Sequence, residues 1–389
     1  MKNPSFRHLA PPSRVFFGDG CLAQLPAELA RVGARRAVVF CGRTLADASP
    51  GLGSVRDALG SAFAGVFAGV VEQSPLAVVE AAVDELRRLG ADAVVALGGG
   101  SAVVTARAAT VLHGEGKGAH ELSTKFTPGQ PPASPKLVQP KLPQFVVPTT
   151  PTTAFAKTGA AVALPGVGLR LSLFDPKARA QTIFLEPKLF EAAPDRLVLD
   201  ASIDSFAQAI QGLESTRREP LADALLLHGV RLIWRALAGS DKTQQVSHRG
   251  DLMLAAQLIG EGTDYTGAGV TSAIGHAIGA RFGVPNGVVK AIVLPLTLAF
   301  NAPVTRGRMG EVAEALGLRG TGENVPAVVG ETCREFFDRL GLPGTLRQLN
   351  VPYDALPQVV DDVSQDWFFT QNPRTMPQDD LQHLLEGAW

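Results

Sequence analysis

The chain has 389 residues, a length that fits two domains or one large α/β unit. Hydrophobic residues make up 46% and aromatics only 6%, and the Ala, Gly, Val and Leu that dominate suit parallel strands under helices better than an aromatic-rich β-sandwich. The formal net charge of −1 argues against a nucleic-acid role driven by bulk charge, and Cys21, Cys41 and Cys333 are too few and too dispersed for a disulfide framework or a zinc cluster.

The N-terminal stretch MKNPSFRHLAPPSRVFFG lacks the apolar region of a signal peptide. No uninterrupted apolar run reaches the roughly 18 residues of a membrane span. The expectation is a cytoplasmic protein with reduced thiols, acting on a small molecule without a nucleic-acid or membrane partner.

RAVVFCG (36–42) reads as a buried strand. SPLAVVEAAVDELRRLG (74–90) has helical spacing, opens on Ser-Pro and stops at Gly90. ADAVVALGGG (91–100) is a second buried strand that runs into glycines, and SAVVTARAATVLH (101–113) is the helix after it. This β-α-β-turn-α order means a doubly wound parallel sheet. KFTPGQPPASPKLVQPKLPQ (125–144), with six prolines, is expected as an irregular exposed loop. FVVPTTPTTAFAKTG (145–159) follows as a strand and polar turn. ALPGVGLRLSLF and QTIFLEP (163–187) are expected as further strands, the first pair a hairpin. From about residue 190 the periodicity is helical throughout: DRLVLDASIDSFAQAIQGLES, PLADALLLHGVRLIWRAL, RGDLMLAAQLIG, GVTSAIGHAIGARFGVPNG and VVKAIVLPLTLAFN. The expected domains are therefore an α/β domain over 1–190 and a helical domain over 191–389.

LGGGSA places Gly98, Gly99, Gly100 and Ser101 between a strand and a helix. Backbone N–H groups at such a helix start suit a diphosphate. The spacing is neither G-x-G-x-x-G nor a P-loop, so a plain tight turn is the competing reading. VPTTPTT favours the anion site, because Thr149, Thr150, Thr152 and Thr153 would add hydroxyls at a second strand end.

These motifs resemble the iron-dependent (group III) alcohol dehydrogenase superfamily, which includes dehydroquinate synthases and glycerol dehydrogenases. SRVFFGDG is similar to its opening hairpin, LGGGSAVVTAR to its diphosphate loop, VPTTPTTAF to its Pro-Thr-Thr motif, and GVPNGVVKAIVLPLTLAFN to its Pro-His-Gly helix. AFNAP (299–303) and the tail SQDWFFTQNPRTMPQDDLQHLLEGAW are similar to the maleylacetate reductase branch. The resemblance implies a dehydroquinate synthase-like fold, with a nucleotide-binding α/β domain, an all-helical C-terminal domain and an active site in the cleft between them. It implies NAD or NADP as cofactor and a homodimer.

The sequence departs from the family's metal site, an Asp and a His four apart followed by two more His. The matching positions are Asp204, Gln208, Ser272 and Asn286. One carboxylate remains, and the imidazoles that iron and zinc sites depend on are replaced by neutral oxygens. No tightly bound metal is expected, although the oxygens are compatible with weakly held Mg²⁺ or Ca²⁺. A further family His four residues beyond the third ligand is matched by His276. The acid that would hold a ribose 2′-hydroxyl is replaced by Gly42 followed by Arg43, so a 2′-phosphate is acceptable and NADP stands beside NAD. Arg170 matches a family Lys near the nucleotide.

Reduction of a carbonyl without a metal needs a proton donor, worth about 10²–10⁴-fold. His276 is the leading candidate, with Asp204 to orient it or to meet a substrate hydroxyl; a hydrogen-bonded core histidine is the structural alternative. Phe155, Lys157, Gln208, Tyr265, Ser272 and Asn286 are candidate substrate contacts, and Asp264 and Lys290 further candidates. The expected activity is NAD(P)H-dependent, metal-independent reduction of an activated carbonyl, such as a keto acid or an aldehyde. The alternatives are a non-redox lyase, cyclase or isomerase on the same fold, or a non-catalytic binding protein.

Overall fold

The computed structural model describes residues 5–8, 12–125, 133–164, 166, 168–239, 248–319 and 324–389. Part of the proline-rich segment, residues 126–132, lies outside these; residues 134–143 form no helix or strand. The chain divides into two compact units. One comprises Pro11–Leu164 and Arg170–Pro194; the other comprises Asp195–Trp389 and two short pieces, near the N-terminus and between residues 164 and 170.

The first unit contains β1 (Arg14–Phe17), β2 (Ala37–Phe40), β3 (Phe63–Phe67), β4 (Ala93–Gly98), β5 (Gln144–Pro148), β6 (Gly159–Ala163), β7 (Arg170–Phe174) and β8 (Ala180–Leu185). Six of them form a sheet in the order β1-β8-β5-β4-β2-β3, with every neighbouring pair parallel. The central runs AVVF, AVVALG and QFVVP are buried along their whole length, as expected for strands covered on both faces. The helices are α1 (Leu25–Arg31), α2 (Arg43–Ala48), α3 (Pro50–Leu59), α4 (Leu76–Leu89), α5 (Gly100–Glu115), α6 (Ala119–Leu122) and α7 (Pro187–Phe190). The chain runs outward from β2 to β3, then returns past β2 to β4. The reversal makes the space beyond the carboxyl ends of β2 and β4 the topological switch point, where open α/β sheets bind ligands.

One strand expectation needs correction. SRVFFGDG forms no hairpin among the described residues; Arg14–Phe17 pairs parallel with β8. Phe16 stacks on Phe184 of β8 at 5.6 Å between ring centroids, which seats the edge strand there. The expected hairpin is present, formed by β6 and β7, which pair antiparallel with Ala163 opposite Arg170, and QTIFLEP enters the main sheet as part of β8.

The second unit contains α8 (Asp195–Glu214), α9 (Pro220–Ala238), α10 (Arg249–Thr266), α11 (Val270–Phe282), α12 (Asn286–Ala315), α13 (Val325–Arg339), α14 (Leu356–Ser364) and α15 (Gln378–Ala388). No strand occurs among its described residues from Asp195 onward. By length and composition α12 is apolar enough to cross a membrane, but 67% of its apolar window is buried and it is the central helix of this unit. It packs on α8, α11 and α13. The approach to α8 requires Gly287: a Cβ there would stand 2.0 Å from the Asp200 carbonyl oxygen.

The C-terminal tail is fastened to α12. Asn301 and Asn372 exchange side-chain amide hydrogen bonds of 3.2 and 2.9 Å. Arg374 lies 4.1 Å over the Phe300 ring and donates to the Phe300 carbonyl at 2.7 Å.

Candidate active site

In the α/β unit the two sequence motifs meet at adjacent strand ends. Gly98 is paired with Pro148, and the Thr149 amide donates to the Gly98 carbonyl at 3.0 Å. The threonine turn then lies against the glycine turn: a Cβ on Gly99 would stand 2.9 Å from Thr150 Oγ1, and one on Gly100 2.9 Å from Thr152 Oγ1. Only glycine gives the two loops this approach. Gly99 caps α5 without a side-chain hydrogen bond, and the first turn of α5 holds no acid. A 16-residue helix therefore presents bare N–H groups and the positive end of its dipole at the switch point.

The other nucleotide candidates surround this edge. Gly42 follows β2 and precedes the exposed Arg43. The Ser101 carbonyl accepts from Ser74 Oγ at 3.2 Å, and the guanidinium of Arg170 donates to Gln73 next to Ser74. Thr149, Thr150 and Thr153 are buried. The residues present thus fit a dinucleotide: an uncapped helix start and small residues at the phosphate position, with a cation beside the second strand end.

In the helical unit, Asp204 and Gln208 share one face of α8, as their spacing requires. Gln208 Nε2 donates to Asp204 Oδ2 at 2.5 Å. The other carboxylate oxygen is 2.6 Å from Lys290 Nζ, whose side chain is 1% exposed. Ser272, fully buried, accepts from Gln211 Nε2 at 3.1 Å, while Gln211 Oε1 accepts from the amides of Gly269 and Ser272 at 2.9 and 3.0 Å. Asn286 opens α12, and its buried Oδ1 has no hydrogen-bond partner among the described residues.

His276 lies one turn after Ser272 on α11. Its Nδ1 is 2.9 Å from Asp366 Oδ2, and the opposite carboxylate oxygen accepts from the Phe368 amide at 2.8 Å. A carboxylate on Nδ1 fixes the ring and places the exchangeable proton of the neutral imidazole there, which leaves Nε2 to exchange a proton with a reactant. The expectation that Asp204 orients His276 is therefore corrected: Asp366 orients it, and Asp204 is engaged by Lys290 and Gln208.

Two candidate substrate contacts are also corrected. Phe155 is fully buried, because the turn Thr153–Phe155 directs its ring into the core, so it lines no open pocket. Tyr265 stacks on His8 at 4.0 Å and lines a separate surface pocket of about 390 Å³ with Asp264, Arg217, Arg218 and Glu219. None of Asp204, Gln208, Ser272, His276 or Asn286 contributes to that pocket. Lys157 is half-buried in the α/β unit after the same turn. Gln211 and Asp366 were missed in the sequence. Gln211 repeats the i, i+4 spacing from Ala207 and carries no metal-ligand signal; Asp366 meets His276 only through folding.

The family metal does not fit these residues. Among the described residues no group of three or more His, Cys, Asp or Glu is placed to hold an ion. Burial pushes the thiols of Cys21 and Cys333 up to about 12 and that of Cys41 to about 11, so none supplies a thiolate near neutral pH. The one carboxylate is already neutralised by an ammonium. A divalent ion on the same carboxylate, about 4 Å from that ammonium, would be repelled by about 8 kcal/mol at an effective dielectric constant of about 20.

Comparison with known proteins agrees with this architecture. A family model described as iron-containing alcohol dehydrogenase matches residues 12–187, and one for the C-terminal region of the Fe-containing alcohol dehydrogenase family matches residues 198–389. The chain is 26% identical over 381 residues to lactaldehyde reductase of Escherichia coli (strain K12), covering 96% of this chain and 97% of that one. It is 27% identical over 383 residues to maleylacetate reductase 2 of Cupriavidus pinatubonensis, covering 97% and 95% respectively. Sulfoacetaldehyde reductase from Bifidobacterium kashiwanohense, solved in complex with NAD⁺, superposes with a TM-score of 0.84 at 20% identity over 99% of both chains. With both family models together spanning nearly the whole length, the chain belongs to the iron-containing alcohol dehydrogenase family of oxidoreductases.

Proposed function

We propose that this protein is an NAD(P)H-dependent reductase of an activated carbonyl, a keto acid such as maleylacetate or an aldehyde, and that it works without a bound metal. The observation that carries the reading is the His276–Asp366 pair, 2.9 Å apart. A bound nicotinamide supplies hydride to the carbonyl carbon. Its diphosphate belongs at Gly98–Ser101 and the threonine turn, and Arg43 accepts either a free ribose or its 2′-phosphate. The negative charge that develops on the carbonyl oxygen takes the Nε2 proton of the His276 imidazolium, the protonated ring that Asp366 stabilises, and leaves the neutral imidazole with its remaining proton on Nδ1 toward Asp366. A proton donor supplies roughly 3–5 kcal/mol of barrier lowering, enough for an already activated carbonyl. Lactaldehyde, maleylacetate and sulfoacetaldehyde reductases among the relatives support this substrate class.

The test pairs absorbance at 340 nm with elemental analysis. NADH and NADPH are offered with a panel of keto acids and aldehydes, maleylacetate and lactaldehyde included. Oxidation of either nucleotide by a protein with no stoichiometric iron or zinc is expected. No oxidation with any carbonyl refutes the reductase reading, and about one metal per chain refutes its metal independence.

A further inference from the structure

Lys290 is the side chain that the metal-free reading leaves without a role. It is a charged group with 1% exposure inside a helical core, where Lys is rarely found unless paired. Its position is built rather than incidental. It stands one turn after Asn286 on α12, the helix that carries the fourth metal-ligand position. Its stem crosses α11 at Gly275, where a Cβ would come within 3.1 Å of Lys290 Cε and 3.3 Å of Cγ. Its ammonium then ends 2.6 Å from Asp204, the one carboxylate left among the ligand positions. Gly287 lets α12 approach α8 closely enough for the pair to form.

We propose that the Lys290 ammonium is the resident cation of this site: a covalently attached positive charge that takes the place of a metal ion beside Asp204 and excludes one. It neutralises Asp204 and fixes that carboxylate toward Gln208, so that no uncompensated negative charge faces a carbonyl oxygen as it gains charge. Lys290 is thus a positioning residue for the reduction proposed above and rests on that reading for its catalytic part. Its exclusion of metal stands independently.

The test restores the imidazoles. The triple variant Q208H/S272H/N286H is titrated with Zn²⁺ by calorimetry, with Lys290 present and with Lys290→Met added. Metal affinity at least a hundredfold higher in the Met-containing chain is expected. Equal affinity in the two chains overturns the proposal, and this readout needs no turnover. If the triple variant does not fold, single substitutions in the otherwise native chain decide. Lys290→Met should lower kcat at least tenfold with the KM for the nicotinamide cofactor unchanged, and Lys290→Arg should recover part of the loss. A Met variant with the native kcat overturns it, as does a loss that Arg does not relieve.

Discussion

Glu214, the last residue of α8, is 1% exposed and offers the sharpest test of the helical core. Burial pushes its carboxyl from 4.5 up to about 8, against a hydrogen bond from Asn301 and the charge of Arg308. Between those values the folded chain keeps a proton that the unfolded chain has lost. The stability associated with the neutral carboxyl is fully present below pH 4.5 and is lost as pH rises through about 8. Over a window of 3.5 pH units, at about 1.36 kcal/mol each, the change comes to about 5 kcal/mol. Glu214→Gln keeps the oxygen that accepts from Asn301 Nδ2 and removes the ionisation. The variant should match the native chain within about 1 kcal/mol at pH 5 and exceed it by several kcal/mol at pH 9. Urea unfolding followed by far-ultraviolet circular dichroism at pH 5, 7 and 9 measures this. The difference between the two chains cancels every other titrating group. Parallel pH profiles would refute a neutral buried Glu214.

Three further outcomes follow from the geometry. Asp366→Asn removes the charge that holds His276 and should cut kcat about 10–100-fold in a chain that melts normally; unchanged kcat would detach the pair from catalysis. Gly287→Ala drives a methyl to within 2.0 Å of the Asp200 carbonyl and should destabilise by about 1–3 kcal/mol or more, read by denaturant unfolding, whereas no loss of stability would contradict the close helix contact. Arg43→Asp reverses the charge beside the second strand end and should shift the NADPH-to-NADH ratio of kcat/KM about 10–100-fold toward NADH; an unmoved ratio would place the 2′-position elsewhere.

What the sequence made legible follows the range of each interaction. LGGGSA and VPTT could be read as neighbours because parallel strands bring carboxyl ends to one edge, and Gly98 does pair with Pro148. Asp204 and Gln208 could be placed together because four residues are one helical turn. Distance along the chain hid the rest. His276 and Asp366 are 90 residues apart, and nothing local to SQDWFF marks an acid aimed at an imidazole. Lys290 was visible as a lysine in an apolar helix, but its partner Asp204 lies on another element. Phe155 and Tyr265 were misjudged because side-chain direction in a short turn or a last helical turn depends on what packs there. β1 was misjudged because its partner β8 comes at the far end of the same unit.

The tail fastening bears on how relatives of this chain are to be grouped. Phe300 and Asn301 belong to one signature of the maleylacetate reductase branch, Asn372 and Arg374 to the other, and the four residues clasp each other. Each stretch is the other's counterpart, so in this chain the two form one mechanical part. A match at both stretches reports how the tail at residues 372–374 is held to α12. It says nothing of the residues around His276 and Lys290.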